Sequence, residues 1–212
     1  MYVTIYNDKF GQNLIPEMIS NTQPSGKAFC SAVHCGGLYY DAWRAFSLND
    51  KKKSDQSSWV TRNSKGFIGY EFEKAVIANV YSIRCASKQT SFDNMPYDWT
   101  FEGSNDNLNW VVLNSVSAFN EWKNFDDKDV YFMCNNFKAF KFYRLNIENH
   151  GGSYIQIKQI CMFFDESLLK KYLIKKNDKT YTVNQETFNI TKDSFIEIDK
   201  DFNKYGFQLS DL

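Results

Sequence analysis

The sequence predicts an all-β sandwich followed by a short C-terminal appendage. Short runs of residues alternate between apolar and polar side chains, which is the pattern of strands with one buried face. Clusters of Ser, Asn, Asp and Gly separate these runs, and no segment keeps the 3.6-residue period of an amphipathic helix over several turns. Hydrophobic residues make up 43% of the 212-residue chain, with 19 Phe and 13 Tyr, so we expect a large aromatic core.

The strongest local pattern is the hairpin predicted for residues 99–110, WTFEGSNDNLNW. Trp99 and Phe101 fall on one face of its first strand, and polar residues alternate with them. Residues 104–109 contain only Ser, Asn, Asp and one Leu, and side chains of the first three types favour tight bends. Trp110 then begins a second apolar run. The sequence therefore predicts two antiparallel strands joined by a multi-residue loop.

A second alternating stretch, FYRLNIENHGGSYIQIKQICMFF, lies downstream. Apolar side chains alternate with polar ones over residues 143–147, and residues 149–153 form a break that contains two glycines. The alternation restarts at Ile155 but changes phase by Ile160, which predicts a one-residue bulge. Arg144 points away from the apolar face, and we interpret it as a bridge to a neighbouring strand.

The remaining elements are predicted from the same signals in chain order. The predicted strands are residues 2–6, 27–33, 59–61, 67–72, 76–85 and 130–134. Residues 21–26, NTQPSG, have the composition of a turn. Residues 41–46 predict a short helical turn that places Trp43 and Phe46 in the core. Residues 47–58, with Lys51 to Lys53, predict a solvated loop.

Three segments are expected along the chain. Residues 1–12 form an N-terminal segment, residues 13–164 form the sandwich, and residues 165–212 form the appendage. The last segment contains only brief alternating runs and is too short for a confident core of its own. We expect it to pack on the sandwich or on a neighbouring subunit.

Charge and cysteine content limit the classes of function. The chain has 25 basic and 25 acidic residues, so no global field draws it to nucleic acid or to an anionic membrane. Its five cysteines are an odd number and mostly lie in apolar runs, which predicts buried free thiols. A disulfide between Cys30 and Cys35 stays open. The sequence lacks a signal-peptide pattern and a membrane-spanning apolar run, so we expect synthesis in the cytoplasm.

We expect no catalysis. The chain has two histidines, and it has no nucleophile elbow, no zinc-protease motif and no phosphate-binding glycine loop. A dyad of His34 and Cys35 is disfavoured because neighbouring residues on a strand point to opposite faces. A zinc site at Cys30, His34 and Cys35 lacks a second pair of ligands at a suitable spacing.

Several of these motifs, in this order, resemble a known family. WTFEGSNDNLNW, YRLNI, a Gly-Gly turn and IQIKQI resemble the discoidin, or coagulation-factor C-type, galactose-binding-like domain over about residues 13–164. The resemblance implies a jelly-roll β-sandwich and a non-enzymatic carbohydrate-binding module. It is greatest to copies in phage and prophage tail proteins of low-GC Gram-positive bacteria. That implies a virion location, receptor binding to bacterial surface carbohydrate, contacts with other tail or baseplate subunits, and a homo-oligomer.

The resemblance also implies where the ligand binds. Family members bind sugars through loops at one end of the sandwich, here residues 34–40, 86–97 and 149–154. An aromatic ring stacks on the C–H face of the sugar, while Arg, Asn, Asp or His forms hydrogen bonds with its hydroxyl groups. The candidates are His34, Tyr39, Tyr40, Arg84, Lys88, Phe92, Tyr97, His150 and Tyr154. The acidic positions of the family's structural calcium are Ser47 and Gln159 here, so we expect no metal, although Asp50 and Asp55 offer substitutes.

Three other functions stay open at this point. The sandwich would serve as a structural tail or baseplate component if its loops contact other subunits instead of sugars. It would serve as an ancillary carbohydrate-binding module if it is joined to a glycoside hydrolase. Binding of lipid headgroups is the least favoured of these hypotheses, because the loops lack clustered apolar residues beside basic ones.

Overall fold

The protein is described from a computed structural model. The described residues are 2–3, 10–37, 39–47, 58–85, 92–125, 128–134, 136–165, 171–176 and 179–184. The chain divides into two compact units, residues 1–165 and residues 166–212. The loop containing Lys51 to Lys53, with Asp50 and Asp55, lies outside the described residues, as do Lys88 and most of the appendage.

The first unit contains eleven described strands and three short 3-10 helices. The strands are β1 (Tyr2–Val3), β2 (Lys27–Cys30), β3 (Trp59–Thr61), β4 (Gly66–Val76), β5 (Val80–Arg84), β6 (Pro96–Ser104), β7 (Val111–Val116), β8 (Asp129–Met133), β9 (Phe140–His150), β10 (Ile155–Ile157) and β11 (Gln159–Phe163). The 3-10 helices are His34–Gly37, Ala42–Phe46 and Trp122–Phe125. The second unit contains an antiparallel pair, β12 (Lys171–Lys176) and β13 (Lys179–Asn184).

The strands of the first unit form two main antiparallel sheets. One sheet has the order β1-β8-β5-β11 and the other has the order β2-β4-β9-β6-β7. A separate ribbon pairs β3 with β10. The predicted all-β sandwich is confirmed. None of the helices in the described part of the chain is long and apolar enough to cross a membrane.

The predicted hairpin is present as β6 and β7. Trp99 pairs with Val116 and Gly103 with Val111, with a register shift beside Phe101. Two other boundaries differ from the prediction. The strand expected to begin at residue 76 begins at Val80, because β4 continues to residue 76 and the chain between them is a connection. The strand predicted for residues 27–33 ends at residue 30.

The bulge predicted between Ile155 and Ile160 is wrong. Ile155 belongs to β10, which pairs with β3, whereas Ile160 belongs to β11, which pairs with β5. The chain leaves one sheet and enters another at Lys158, whose N–H donates to the Arg84 carbonyl at 3.2 Å. The alternation of apolar side chains changes phase here because β10 and β11 belong to different sheets, so their core-facing sides differ.

An aromatic stack joins the two main sheets. The Tyr81 ring of β5 lies 4.3 Å from the Phe101 ring of β6 and 5.1 Å from the Phe132 ring of β8, measured between centroids. The buried Tyr81 hydroxyl accepts from Trp99 Nε1 at 3.0 Å and donates to Asn114 Oδ1 at 2.9 Å. Burial raises the pKa of Tyr81 well above its ordinary value. The hydroxyl therefore stays protonated and its buried polar atom is satisfied.

The helical turn predicted for residues 41–46 is present as a capped 3-10 helix. Asp41 caps it by accepting from the Ala42 N–H at 2.8 Å. Phe46 is fully buried, as predicted. Trp43 is only partly buried, because its ring packs against the core on one side and faces the Arg44 guanidinium at 4.4 Å.

The cysteines are free thiols in the structure. Cys85, Cys134 and Cys161 are buried, Cys30 is partly buried, and Cys35 is exposed. Burial raises the pKa of Cys134 and Cys161 to about 12. The prediction of buried thiols therefore fits three of them and fails at Cys35.

We expect Phe101→Ala to lower the free energy of unfolding by about 3–5 kcal/mol, because it leaves a cavity in the stack between the sheets. Leu108→Ala is the control, since Leu108 is 81% exposed and its truncation should change stability by less than about 0.5 kcal/mol. Urea denaturation of the two variants measures both values. Equal stabilities would contradict the assignment of Phe101 to the junction of the sheets.

Candidate functional site

Three chain segments meet beside the ribbon of β3 and β10. They are residues 34–37 with 39–40, residues 92–97 and residues 150–154, which belong to the three loops that the sequence predicts to lie together. The contacts among them are ring contacts and backbone hydrogen bonds. These contacts determine which candidate side chains can act on one ligand.

The register of the ribbon brings Tyr154 and Arg62 together. Ile155 pairs with Thr61, so the next residue outward on each strand, Tyr154 and Arg62, also face each other. Arg62 Nη2 donates to the Tyr154 hydroxyl at 3.2 Å, and the guanidinium carbon lies 5.4 Å from the centroid of the Tyr154 ring. The guanidinium is thus held at the edge of the site by a tyrosine that stays partly exposed.

Ala32 and Tyr40 are each attached to β3. The buried Trp59 donates from Nε1 to the Ala32 carbonyl at 3.0 Å. Val60 donates its N–H to the Tyr40 carbonyl at 3.4 Å. A core tryptophan and a strand therefore set the positions of these two residues.

His34 lies between two tyrosines. Its ring centroid is 5.4 Å from that of Tyr40 and 5.3 Å from that of Tyr154, the latter in an edge-to-face arrangement. We call His34, Tyr40, Arg62 and Tyr154 the loop cluster. Tyr39, beside it in sequence, is 49% exposed.

Asn94 fixes the turn that carries Tyr154. Its side-chain oxygen accepts from the Tyr154 N–H at 3.3 Å, and its carbonyl accepts from the Gln156 N–H at 2.8 Å. A Cβ at Gly152 would lie 2.1 Å from the Asn94 side-chain oxygen, so the turn has no room for a side chain there. Close packing against Asn94 therefore explains why the predicted break has a glycine at position 152.

Phe92, Tyr97 and His150 lie deeper in the same region. The rings of Phe92 and Tyr97 pack partly against the core, and Gly151 lies against the Tyr97 hydroxyl. The pKa of His150 is lowered because burial disfavours its charged form, and a hydrogen bond with the Asn63 backbone opposes this effect. His150 is therefore neutral at neutral pH.

The structure gives Arg84 a structural role. It pairs in register with Asp129 on β8, and its Nε donates to the Asp129 carboxylate at 3.2 Å. A second contact makes this a two-point ion pair across the strands. The guanidinium that contacts Tyr154 belongs instead to Arg62, a residue that sequence reasoning missed. The only signal for Arg62 is the pairing of β3 with β10, which local patterns do not reveal.

His34 and Cys35 are in contact, so the prediction that they point to opposite faces is wrong. The segment is not a strand but a kinked 3-10 helix in which Cys35 has a left-handed φ of 52°. This conformation places Cys35 Sγ 3.0 Å from His34 Nε2. Among the described residues, no group of three or more His, Cys, Asp or Glu side chains is arranged to hold a metal ion. At the candidate calcium position, the Gln159 amide donates to Cys161 Sγ at 3.4 Å.

Comparison of this geometry with known proteins identifies the fold. No family model matches the sequence, and no curated protein matches it. The structure superposes on a CBM32 module from Clostridium perfringens, with a TM-score of 0.52, 14% identity and coverage of 66% of this chain and 95% of that one. The fold is that of a discoidin-like carbohydrate-binding module. The predicted discoidin-like sandwich is therefore confirmed.

Two further solved structures show the same likeness. Chitosan-binding module 1 of a chitosanase/glucanase from Paenibacillus sp. IK-5 gives a TM-score of 0.51 at 15% identity, covering 72% of this chain and 99% of that one. The family 32 carbohydrate-binding module of Streptococcus pneumoniae EndoD gives 0.51 at 12% identity, covering 69% and 100%. At these identities the likeness is one of fold.

We expect a thiol-specific alkylating reagent to modify native protein first at Cys35, because this thiol is exposed while Cys85, Cys134 and Cys161 are buried. Peptide mass spectrometry after a short reaction with iodoacetamide identifies the modified residue. Cys35→Ser is the control and should remove the fast reaction. A fast reaction that persists in this variant would contradict the exposure assigned to Cys35.

Proposed function

We propose that the first unit is a non-enzymatic carbohydrate-binding module that binds sugar at the loop cluster. The observation that carries this proposal is the row of partly exposed rings Tyr40, His34 and Tyr154, in which Tyr154 also contacts the Arg62 guanidinium. Aromatic rings and a fixed hydrogen-bond donor within one small surface are the parts that saccharide recognition needs.

Each side chain has a separate role in this proposal. The C–H face of a pyranose packs on the Tyr40 or Tyr154 ring, where apolar contact costs no hydrogen bond. Arg62 and His34 donate to ring hydroxyl groups, and the Tyr154 hydroxyl, already bonded to Arg62, accepts from the sugar. Tyr39 extends the rim of the site.

The fold supports the same class of ligand. The Clostridium perfringens module was solved in complex with GalNAc-β-1,3-galactose, and the Paenibacillus module is described as chitosan-binding. This likeness of fold supports carbohydrate as the class of ligand. It does not identify the sugar, since function resides in the site and not in the fold.

We further propose a bacterial surface glycan as the target and a phage or prophage tail or baseplate as the setting. The motif resemblance supports this setting. One small site per module would bind weakly, and repetition on a particle would convert weak sites into firm attachment. A module joined to a glycoside hydrolase is the alternative setting.

The test is retention on glycan arrays and on purified bacterial cell walls. We expect Tyr154→Ala and Arg62→Ala to lower affinity at least about tenfold, since each removes a central aromatic or charged contact. Tyr154→Phe separates the ring from its hydroxyl. Lys65→Ala is the matched control, because Lys65 is exposed near Arg62 and pairs only with Glu148 among the described residues.

Loss of retention in Lys65→Ala to the same extent, or no effect of either cluster variant, would refute the loop cluster as the site. No retention by the wild-type protein would favour a second function, assembly. One observation supports that function: β7 is an outer strand of its sheet and exposes Val111 and Val112 by 50% and 56%. An outer strand with exposed apolar residues can pair with another subunit. Self-association measured by light scattering then separates the two functions.

A further inference from the structure

A groove lies on the outer face of the five-stranded sheet. Its volume is about 310 Å³, at the lower end of the roughly 300–1,000 Å³ of typical small-molecule sites. β2, β4 and β9 form its floor, and Asn107 of the β6–β7 hairpin loop forms one side. The groove contains no residue of the loop cluster.

Aromatic side chains line the floor, where a solvent-facing sheet usually carries polar residues. Phe29 pairs in register with Gly69, and its ring occupies the space that a Cβ at position 69 would need. The Phe29 centroid lies 6.3 Å from that of Phe67 and 6.4 Å from that of Phe142. All three phenylalanines stay partly exposed. An exposed aromatic patch of this kind marks a binding surface.

The hairpin loop closes one side of the groove as a rigid wall. The Asp106 carboxylate accepts from the N–H groups of Leu108 at 2.9 Å and Asn109 at 2.7 Å. Bonds to Asn109, first from its backbone and then from its side chain, hold the pKa of Asp106 well below its usual range. The Asn105 side chain fastens the loop to β9 by accepting from the Lys141 N–H at 2.9 Å.

Trp110 extends this wall over the sheet. Its ring lies 6.4 Å from that of Phe29, and the Arg144 guanidinium lies 4.0 Å from its centroid. Arg144 is therefore held under an aromatic ring at the edge of the groove. Arg144 forms an ion pair with Glu102 of β6, so it bridges to a neighbouring strand as predicted.

Two cationic side chains, Lys27 and Arg144, and one carboxylate, Glu71, line the groove. Three carboxylates lie on or beside it, and each already accepts hydrogen bonds: Glu102 from Arg144 Nε at 2.6 Å, Glu71 from Lys141 at 2.9 Å, and Asp106 from the N–H groups of its own hairpin loop. Within the described part of the chain, Arg144 uses only its Nε in a hydrogen bond, and Lys27 has no ion pair. The groove therefore offers donor groups of Lys27 and Arg144 that its own carboxylates do not occupy.

We propose that this groove binds an acidic saccharide. The pyranose ring packs on the phenylalanines, its carboxylate is bound by Lys27 and the free N–H groups of Arg144, and Asn107 bonds a hydroxyl group. The ring faces alone would accept a neutral sugar, and the cations alone would accept any small anion. Their combination selects a sugar that carries a carboxylate. This site is separate from the loop cluster and does not depend on it.

The test is an amide chemical-shift titration of the ¹⁵N-labelled full chain. The probes are disaccharides containing glucuronate, galacturonate or N-acetylmuramate, their neutral counterparts, and sodium acetate. We expect saturable shifts around Phe29, Asn107 and Phe142 with at least one acidic disaccharide. Lys27→Glu should weaken this binding at least about tenfold, because it replaces a charge-assisted bond by repulsion.

Two controls locate the effect. Lys138→Glu makes the same charge change at an exposed residue outside the groove and should leave binding unchanged. Tyr154→Ala should also leave it unchanged, so failure of the loop cluster and failure of the groove are distinguishable. The proposal is overturned if no acidic probe shifts the groove amides, if a neutral counterpart binds as tightly, or if acetate gives the same shifts at the same concentration. An unchanged affinity in Lys27→Glu overturns it too.

Discussion

The contact between Tyr81 and Phe101 holds the two main sheets in a single arrangement. The rings stack at 4.3 Å, and the Tyr81 hydroxyl bonds both Trp99 and Asn114, so one side chain links three strands through apolar and polar contacts. Burial of the large aromatic surface makes the main favourable contribution of this contact to the free energy of folding. The hydrogen bonds of the hydroxyl remove the penalty of burying a polar atom. Because Phe101 points into the core, its neighbours on β6 must point outward. The same alternation places Glu102 where Arg144 can reach it.

The two surfaces that we assign to ligands depend on this core in different ways. The loop cluster depends on Trp59, whose buried ring holds the segment of His34 and Tyr40 against the ribbon of β3 and β10. The groove depends on the strand pairing itself, since Phe29 covers Gly69 across the sheet. Side chains held this way lose little freedom when a ligand binds, which favours recognition by small sites.

The parts of the fold that local patterns determine could be predicted from the sequence. The β6–β7 hairpin follows from alternation and from turn residues between Ser104 and Asn109, and both are local signals. The contact of Arg62 with Tyr154 spans 92 residues and depends on strand pairing that no local pattern encodes. The family resemblance implies that Arg84 binds sugar, and its ion pair with Asp129 could not be predicted because the two residues are 45 positions apart in the chain. The groove was missed because outward aromatic residues on β2, β4 and β9 become neighbours only in the folded sheet.

Intermolecular nuclear Overhauser effects between a retained saccharide and the aromatic protons of the full chain test sugar binding at the loop cluster most directly. The arrangement of His34, Tyr40 and Tyr154 predicts contacts from the C–H face of the sugar to the Tyr40 or Tyr154 ring and to the His34 ring. Contacts confined to other aromatic residues, with none to these three rings, would contradict the assignment.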